Sequence, residues 1–260
     1  MLICSEVNDR SFRCLFYDIP ARSYDGGFPE GPFDLDDPEI EVHQGTLRIN
    51  FAQNVMEKGA FKTSHPGSVK LDDGAVLLPF TDKKVCVKQI YEKRANSNAI
   101  GRVKGRHELD ALSVECNSHR WASILLDFTY QFISREINTR GEPPFRIPEL
   151  QFTHVMIAIV QETAMEKAFL VEEWIESSDR DYPFIKYIDN RTPLPCVPDI
   201  APPTSHNTAA FLAFAQHVQW EKSQYSAFTS DYQGAGNLLT DPQITSNPFV
   251  PSILVVWLIR

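Results

Sequence analysis

Apolar and polar residues alternate along Leu47-Arg48-Ile49-Asn50-Phe51 and again along Val85-Cys86-Val87-Lys88-Gln89-Ile90-Tyr91. A period of two predicts half-buried β-strands. From Leu109 to Ile137 the period lengthens. Trp121, Leu125, Phe128 and Phe132 recur on one stripe, with Arg120, Asp127 and Arg135 elsewhere, which predicts a long amphipathic helix ended by Gly141 and Pro143-Pro144. The apolar runs Val155 to Val160 and Ala168 to Ile175 read as two strands joined by a polar turn. Together these runs predict a small sheet carrying one helix. Prolines at 193, 195, 198, 202 and 203 rule out regular structure between Asp189 and Pro203 and mark a surface connection. A second helix is expected beyond it, with Phe211, Phe214, Ala215 and Val218 on one face and Asn207 or Thr208 as cap. The run Tyr225 to Phe228 suits a buried strand.

Residues 1–40 crowd acids, prolines and glycines between Asp18 and Pro38, a composition that predicts an irregular lead-in. The chain has 260 residues and 43% hydrophobic content, enough for one large core or two small lobes around a cleft. Its net charge of -9 argues against nucleic acid as a partner and suits attraction of basic protein segments. Five cysteines without paired spacing argue against a disulfide framework, so a cytoplasmic setting is expected, with a nuclear one left open. No apolar run approaches the roughly 20 residues that span a bilayer, so no membrane partner is expected.

The most informative stretch is Ser230-Asp231-Tyr232-Gln233-Gly234-Ala235-Gly236-Asn237-Leu238-Leu239-Thr240-Asp241-Pro242-Gln243-Ile244. It sets two carboxylates and an amide on a glycine-broken turn. Hard oxygen ligands of this kind hold magnesium, and a further carboxylate can align a hydroxyl for phosphoryl transfer. Asp and Gly are also ordinary turn residues, so spacing alone leaves both readings standing. Likewise, Gly59 in Glu57-Lys58-Gly59-Ala60-Phe61-Lys62 can be a plain turn, and Lys88 in its strand can face solvent.

The full string resembles the D-x-Q-G-x-G and L-T-D-P-Q-I element of the alpha-kinases, atypical protein serine/threonine kinases. The resemblance covers residues 45–247. It implies that Gly59, Ala60 and Lys62 form a nucleotide loop and that Lys88 binds the α and β phosphates of ATP. Phe169-Leu170-Val171-Glu172 resembles the family's segment at the lobe junction, which places Glu172 beside the adenine, although Glu173 replaces the family's Pro. Lys186, in Lys186-Tyr187-Ile188-Asp189-Asn190, matches a basic nucleotide-site position. Asp231, Gln233 and Asp241 become the catalytic group, with Asp231 as base and Gln233 and Asp241 as magnesium or phosphate ligands. Sequence leaves the two aspartate roles exchangeable. His217 matches the first zinc ligand of the family, whose site is completed by an H-x-C-x-x-x-C cluster that this sequence lacks, so His217 is expected to be a vestigial ligand.

The resemblance thus implies an α+β, two-lobed protein-kinase-like fold with a small N-lobe sheet, one long helix and an abbreviated C-lobe. The expected divisions are a lead-in at 1–40, a kinase-like domain at 41–247 (N-lobe 41–176, hinge and C-lobe 177–247) and a divergent apolar tail at 248–260. That tail is read either as a last strand or as a foreign end. The implied function is ATP- and magnesium-dependent phosphorylation of Ser or Thr in a protein. The alternative is a nucleotide-binding pseudokinase or interaction module.

Overall fold

A computed structural model describes residues 9–20, 24, 34–38, 40–52, 62–72, 74–77, 79–93, 100–161, 167–177 and 183–247. In chain order its strands are β1 (Asp9–Ile19), β2 (Val42–Asn50), β3 (Lys62–Leu71), β4 (Lys84–Lys93), β5 (Ile100–Arg102), β6 (Gln151–Phe152), β7 (Val155–Val160), β8 (Ala168–Glu173), β9 (Ile185–Ile188), β10 (Ala227–Ser230), β11 (Tyr232–Ala235), β12 (Leu238–Thr240) and β13 (Gln243–Ser246). The helices are α1 (Arg106–Arg140) and α2 (Pro203–Lys222). Two compact units result. The first comprises Met1–Ile19, Asp34–Val114 and His154–Trp174, and the second Pro20–Phe33, Glu115–Thr153 and Ile175–Arg260. The expected tail, 248–260, lies outside the described residues.

In the first unit the strands run β3-β2-β1-β7-β8-β4-β5, and a further β3 to β4 pairing closes six of them into a ring. All the pairings between these strands are antiparallel. Alternation gives the ring its core: Cys14 and Phe16, Leu47 and Ile49, Val69 and Leu71, Val85 and Val87, Met156 and Ala158, Phe169 and Val171 form one buried cluster. The strands expected at Val85 to Tyr91, Val155 to Val160 and Ala168 onward are β4, β7 and β8. Residues 9–19 correct the expectation of an irregular lead-in, for β1 lies between β2 and β7. Its pattern, with Cys14, Phe16 and Ile19 buried, was obscured by the prolines and glycines that follow.

The second unit holds a four-stranded sheet, β6-β12-β11-β9, and the pair β10-β13. Ala122 and Leu126 of α1, Ala209 and Leu212 of α2, and Ile188, Tyr232 and Leu239 share its core. The helical stripe of α1 is found, with Trp121, Leu125 and Phe128 buried. Arg120 departs from the expected pattern, being only 8% exposed. Gly141 terminates α1 at φ +89, its N–H donating to Ile137 O at 2.8 Å. In α2 the expected Asn207 or Thr208 cap is replaced by Pro202, with Pro203 at the first turn, where a missing N–H costs nothing. Phe214, expected on the packed face, is exposed, as is Tyr225. Tyr225 lies in a left-handed turn at φ +61, so the strand begins only at Ala227.

Candidate active site

In the first unit, antiparallel pairing of β4 with β8 sets Lys88 opposite Leu170 and Cys86 opposite Glu172. Lys88 and Glu172 are therefore diagonal neighbours on one sheet face. Lys88 Nζ lies 2.7 Å from Glu172 Oε1. Their neighbours Val85, Val87, Phe169 and Val171 fill the opposite, core-facing side. The solvent-facing reading of Lys88 is thus corrected: its side chain is 3% exposed. Lys62 opens β3 opposite Ile90. Gly59 and Ala60 lie outside the described residues.

In the second unit, four polar residues form a chain across adjoining strands. β11 pairs with β9 so that Gln233 faces Lys186, with a register shift between Tyr232 and Gln233. It pairs with β12 so that Gln233 also faces Thr240, the residue before Asp241. Lys186 Nζ contacts Asp231 Oδ1 and donates to Gln233 Oε1 at 3.2 Å. Gln233 Nε2 in turn donates to Asp241 Oδ2 at 3.2 Å. The Lys186 ammonium and the Gln233 amide thereby link the two aspartates. Burial pushes the Lys186 ammonium below its ordinary pKa, while the Asp241 and Asp189 carboxylates and the Cys196 thiol pull it back up.

Both aspartates stand at breaks in the backbone. Asp231 has φ +62 between β10 and β11, and Asp241 has φ +56 between β12 and β13. Left-handed non-glycine residues are uncommon, and Asp is among the few types that tolerate the region. A two-residue loop, Gly236-Asn237, joins β11 to β12, with Gly236 at φ +60. Gly234 lets these strands close tightly: a Cβ there would come within 1.9 Å of Leu238 O. The glycines of the sequence string thus set the Gln233 to Asp241 contact.

The structure gathers Lys186, Asp231, Gln233 and Asp241 in one unit and the Lys88 and Glu172 pair in the other. His217 is exposed on α2. Among the described residues no three His, Cys, Asp or Glu side chains converge as a metal cluster. An apolar groove lined by Phe132, Ile137, Phe145, Phe211 and Phe214 lies elsewhere in the second unit and includes none of the expected site residues.

Sequence reading missed Gln216 and Gln219. Both are buried on α2 and hold the strand preceding Asp231, since Gln216 Nε2 donates to Thr229 O at 3.0 Å and Thr229 N donates to Gln219 Oε1 at 2.8 Å. The available signal was two amides three residues apart within an otherwise apolar helical face. Such buried polar groups demand partners.

The alpha-kinase family model matches residues 57–248. The apoenzyme alpha-kinase domain of myosin-II heavy chain kinase A is similar at 13% identity and a TM-score of 0.51, over 96% of this chain and 88% of that one. The same domain in complex with AMP-PNP gives 14% identity and a TM-score of 0.52, over 94% and 85% respectively. The alpha-kinase domain of myosin heavy chain kinase A in complex with AMP gives 13% and 0.52, over 91% and 85%. At these identities the likeness is one of fold. No curated protein sequence matches the chain.

Proposed function

The chain belongs to the alpha-kinase family, and from that premise we propose that it is an ATP- and magnesium-dependent protein serine/threonine kinase, transferring the γ-phosphoryl group to a Ser or Thr hydroxyl of a protein. The observation that carries the proposal is the chain Asp231, Lys186, Gln233, Asp241, in which two carboxylates held at left-handed φ are joined through the Lys186 ammonium and the Gln233 amide. Strained, over-determined backbone of this kind collects where side chains must be aimed.

The donor set supports magnesium. Asp231 Oδ1 and Gln233 Oε1 converge on one cation, the Lys186 ammonium, and both are hard oxygens of the type that magnesium takes. Magnesium bound there would supply charge neutralisation for the transferring phosphoryl group. This convergence supports exchanging the two aspartate roles: Asp231 and Gln233 serve the metal, and Asp241, oriented by the Gln233 amide, accepts the proton of the substrate hydroxyl. Lys88, fixed by Glu172, is the phosphate-positioning cation, with Gly59 and Ala60 as the covering loop and Lys62 at the start of β3. Lys186 is a further nucleotide-binding charge, in the second unit. The net charge of -9 supports a substrate hydroxyl in a basic context. The five cysteines have no paired spacing, which supports a reducing, cytoplasmic setting. Among the described residues no helix is long and apolar enough to cross a membrane.

One contact favours a second reading. The Lys186 ammonium itself bridges Asp231 and Gln233, an arrangement that would let a pseudokinase bind nucleotide with a built-in cation. Incubation with magnesium, labelled ATP and a basic Thr-containing peptide separates the two. Incorporation that disappears in Asp241→Ala and Asp231→Ala supports the kinase. ATP binding with no incorporation above those variants supports the pseudokinase.

A further inference from the structure

Among the described residues β10 makes a sheet with β13 only. In that pairing Thr229 faces Ile244, and the neighbouring N–H of Asn247 reaches Ser226 O at 2.9 Å. The backbone groups of Thr229 turn the other way, toward α2. There, Gln219 Oε1 accepts from Thr229 N at 2.8 Å, and Gln216 Nε2 donates to Thr229 O at 3.0 Å. One acceptor and one donor, three residues apart on a helix, reproduce the rung that a neighbouring strand would supply.

Gln219 also reaches the far side of Asp231. Its Nε2 lies 3.3 Å from the Tyr232 hydroxyl, 3.2 Å from Leu125 O and 3.3 Å from Thr129 Oγ1. Thr129 Oγ1 itself donates to Leu125 O at 2.9 Å, so α1 fixes the amide from behind. Gln219 and Tyr232 are fully buried, and Thr229 is too. One side chain therefore holds the residue two before Asp231 and the residue directly after it.

Asp231 needs such a hold. Its φ of +62 is unfavourable for a side-chain-bearing residue and persists only where the surroundings over-determine it. Neither amide is bonded to the Asp231 carboxylate, so both act through the residues that flank it.

We infer that Gln219, assisted by Gln216, is a positioning residue: it locks the β10 to β11 corner so that the Asp231 carboxylate is held against the Lys186 ammonium in the geometry used for phosphoryl transfer. The kinetic consequence rests on the kinase reading. The geometric one does not.

The test uses the full chain carrying Gln219→Met, which keeps length and removes all the amide's contacts. Leu212→Val, a cavity-forming change in the same core, seven residues before Gln219 on α2, serves as the stability control. Two readouts are taken: kinetics with ATP and peptide, and the 13C carboxyl resonance of Asp231, identified by its loss in Asp231→Asn. Misplacement of a reacting group by about 1 Å costs on the order of 100-fold. Gln219→Met is expected to lower kcat by about that factor with KM for ATP within about twofold, and to displace the Asp231 resonance. Leu212→Val should leave both readouts near wild type.

An unmoved Asp231 resonance, or a kcat loss no larger than that of Leu212→Val, overturns the inference. If wild type transfers no phosphate, the kinase reading fails and the resonance alone decides the positioning role. If Gln219→Met does not fold, Tyr232→Phe deletes a single contact of the amide, and a displaced or unmoved resonance there decides in the same sense.

Discussion

Lys88 Nζ stands 2.7 Å from Glu172 Oε1 across adjacent strands, with the two side chains only 3% and 2% exposed. A pair so deeply buried is expected to be kept for function, because desolvation offsets most of its Coulombic gain. Removing only the ammonium, as in Lys88→Met, leaves a buried carboxylate without that cation and should cost about 3–5 kcal/mol. Lys88→Met combined with Glu172→Leu should recover most of that loss in urea denaturation, while phosphate transfer stays absent. Recovery of transfer with stability would show that Lys88 acts only as structure.

Asp241 offers a separation of backbone from chemistry. At φ +56 it occupies a region that Asn tolerates and Ala resists. Asp241→Asn should keep the hydrogen bond to Gln233 and the fold, yet lower kcat by roughly 10²–10⁴ if Asp241 is the proton acceptor. Asp241→Ala should lose a further 1 kcal/mol or so of stability from left-handed strain. Thermal denaturation and steady-state kinetics on the two variants read these effects independently. Equal kinetics in Asp241→Asn and wild type would assign the base elsewhere.

The strands with strict alternation and the long helix were legible, since period and burial coincide at Val85 and Val87 or at Trp121, Leu125 and Phe128. β1 was not, because turn-forming residues just beyond Ile19 dominated the composition of the segment. Asp231, Gln233 and Asp241 were legible as a string. Their geometry was not: a register shift at Tyr232 and two left-handed aspartates decide which oxygen meets which donor. Lys186 came from a motif, and its contact with Asp231 required the β9 to β11 pairing. Gln216 and Gln219 escaped notice because polar residues on a helix ordinarily face water, and only the fold shows them buried against a strand edge.

Gly234 should tolerate no side chain. An added methyl would meet Leu238 O at 1.9 Å, a backbone atom of the neighbouring strand that cannot rotate aside. Gly234→Ala should therefore cost about 3 kcal/mol, at the upper end for overpacking, and spread β11 from β12. The 3.2 Å contact of Gln233 with Asp241 would be lost with it. Activity should fall further than unfolding alone explains, as measured at a temperature where the variant remains folded.

Stability at alkaline pH should carry the signature of Tyr232. Burial pushes its hydroxyl from 10 up to about 12, against the opposing pull of hydrogen bonds with Thr229 and Gln219. The folded chain keeps this proton where the unfolded chain releases it. Its contribution is therefore complete below pH 10 and is lost as pH rises toward 12. Tyr130 is raised to about 12 in the same way, while Lys186, lowered by burial, acts in the opposite sense and favours the folded state as pH climbs toward 10.5. Each fully shifted group changes stability by at most about 1.4 kcal/mol per pH unit. Tyr232→Phe should be less stable than wild type at pH 8, where its hydrogen bond is missed. Between pH 10 and 12 that gap should narrow by about 2 kcal/mol, because the variant has no proton there to lose. Urea denaturation series at fixed pH give both slopes, and parallel slopes would mean that Tyr232 ionises at an ordinary pH in the folded chain.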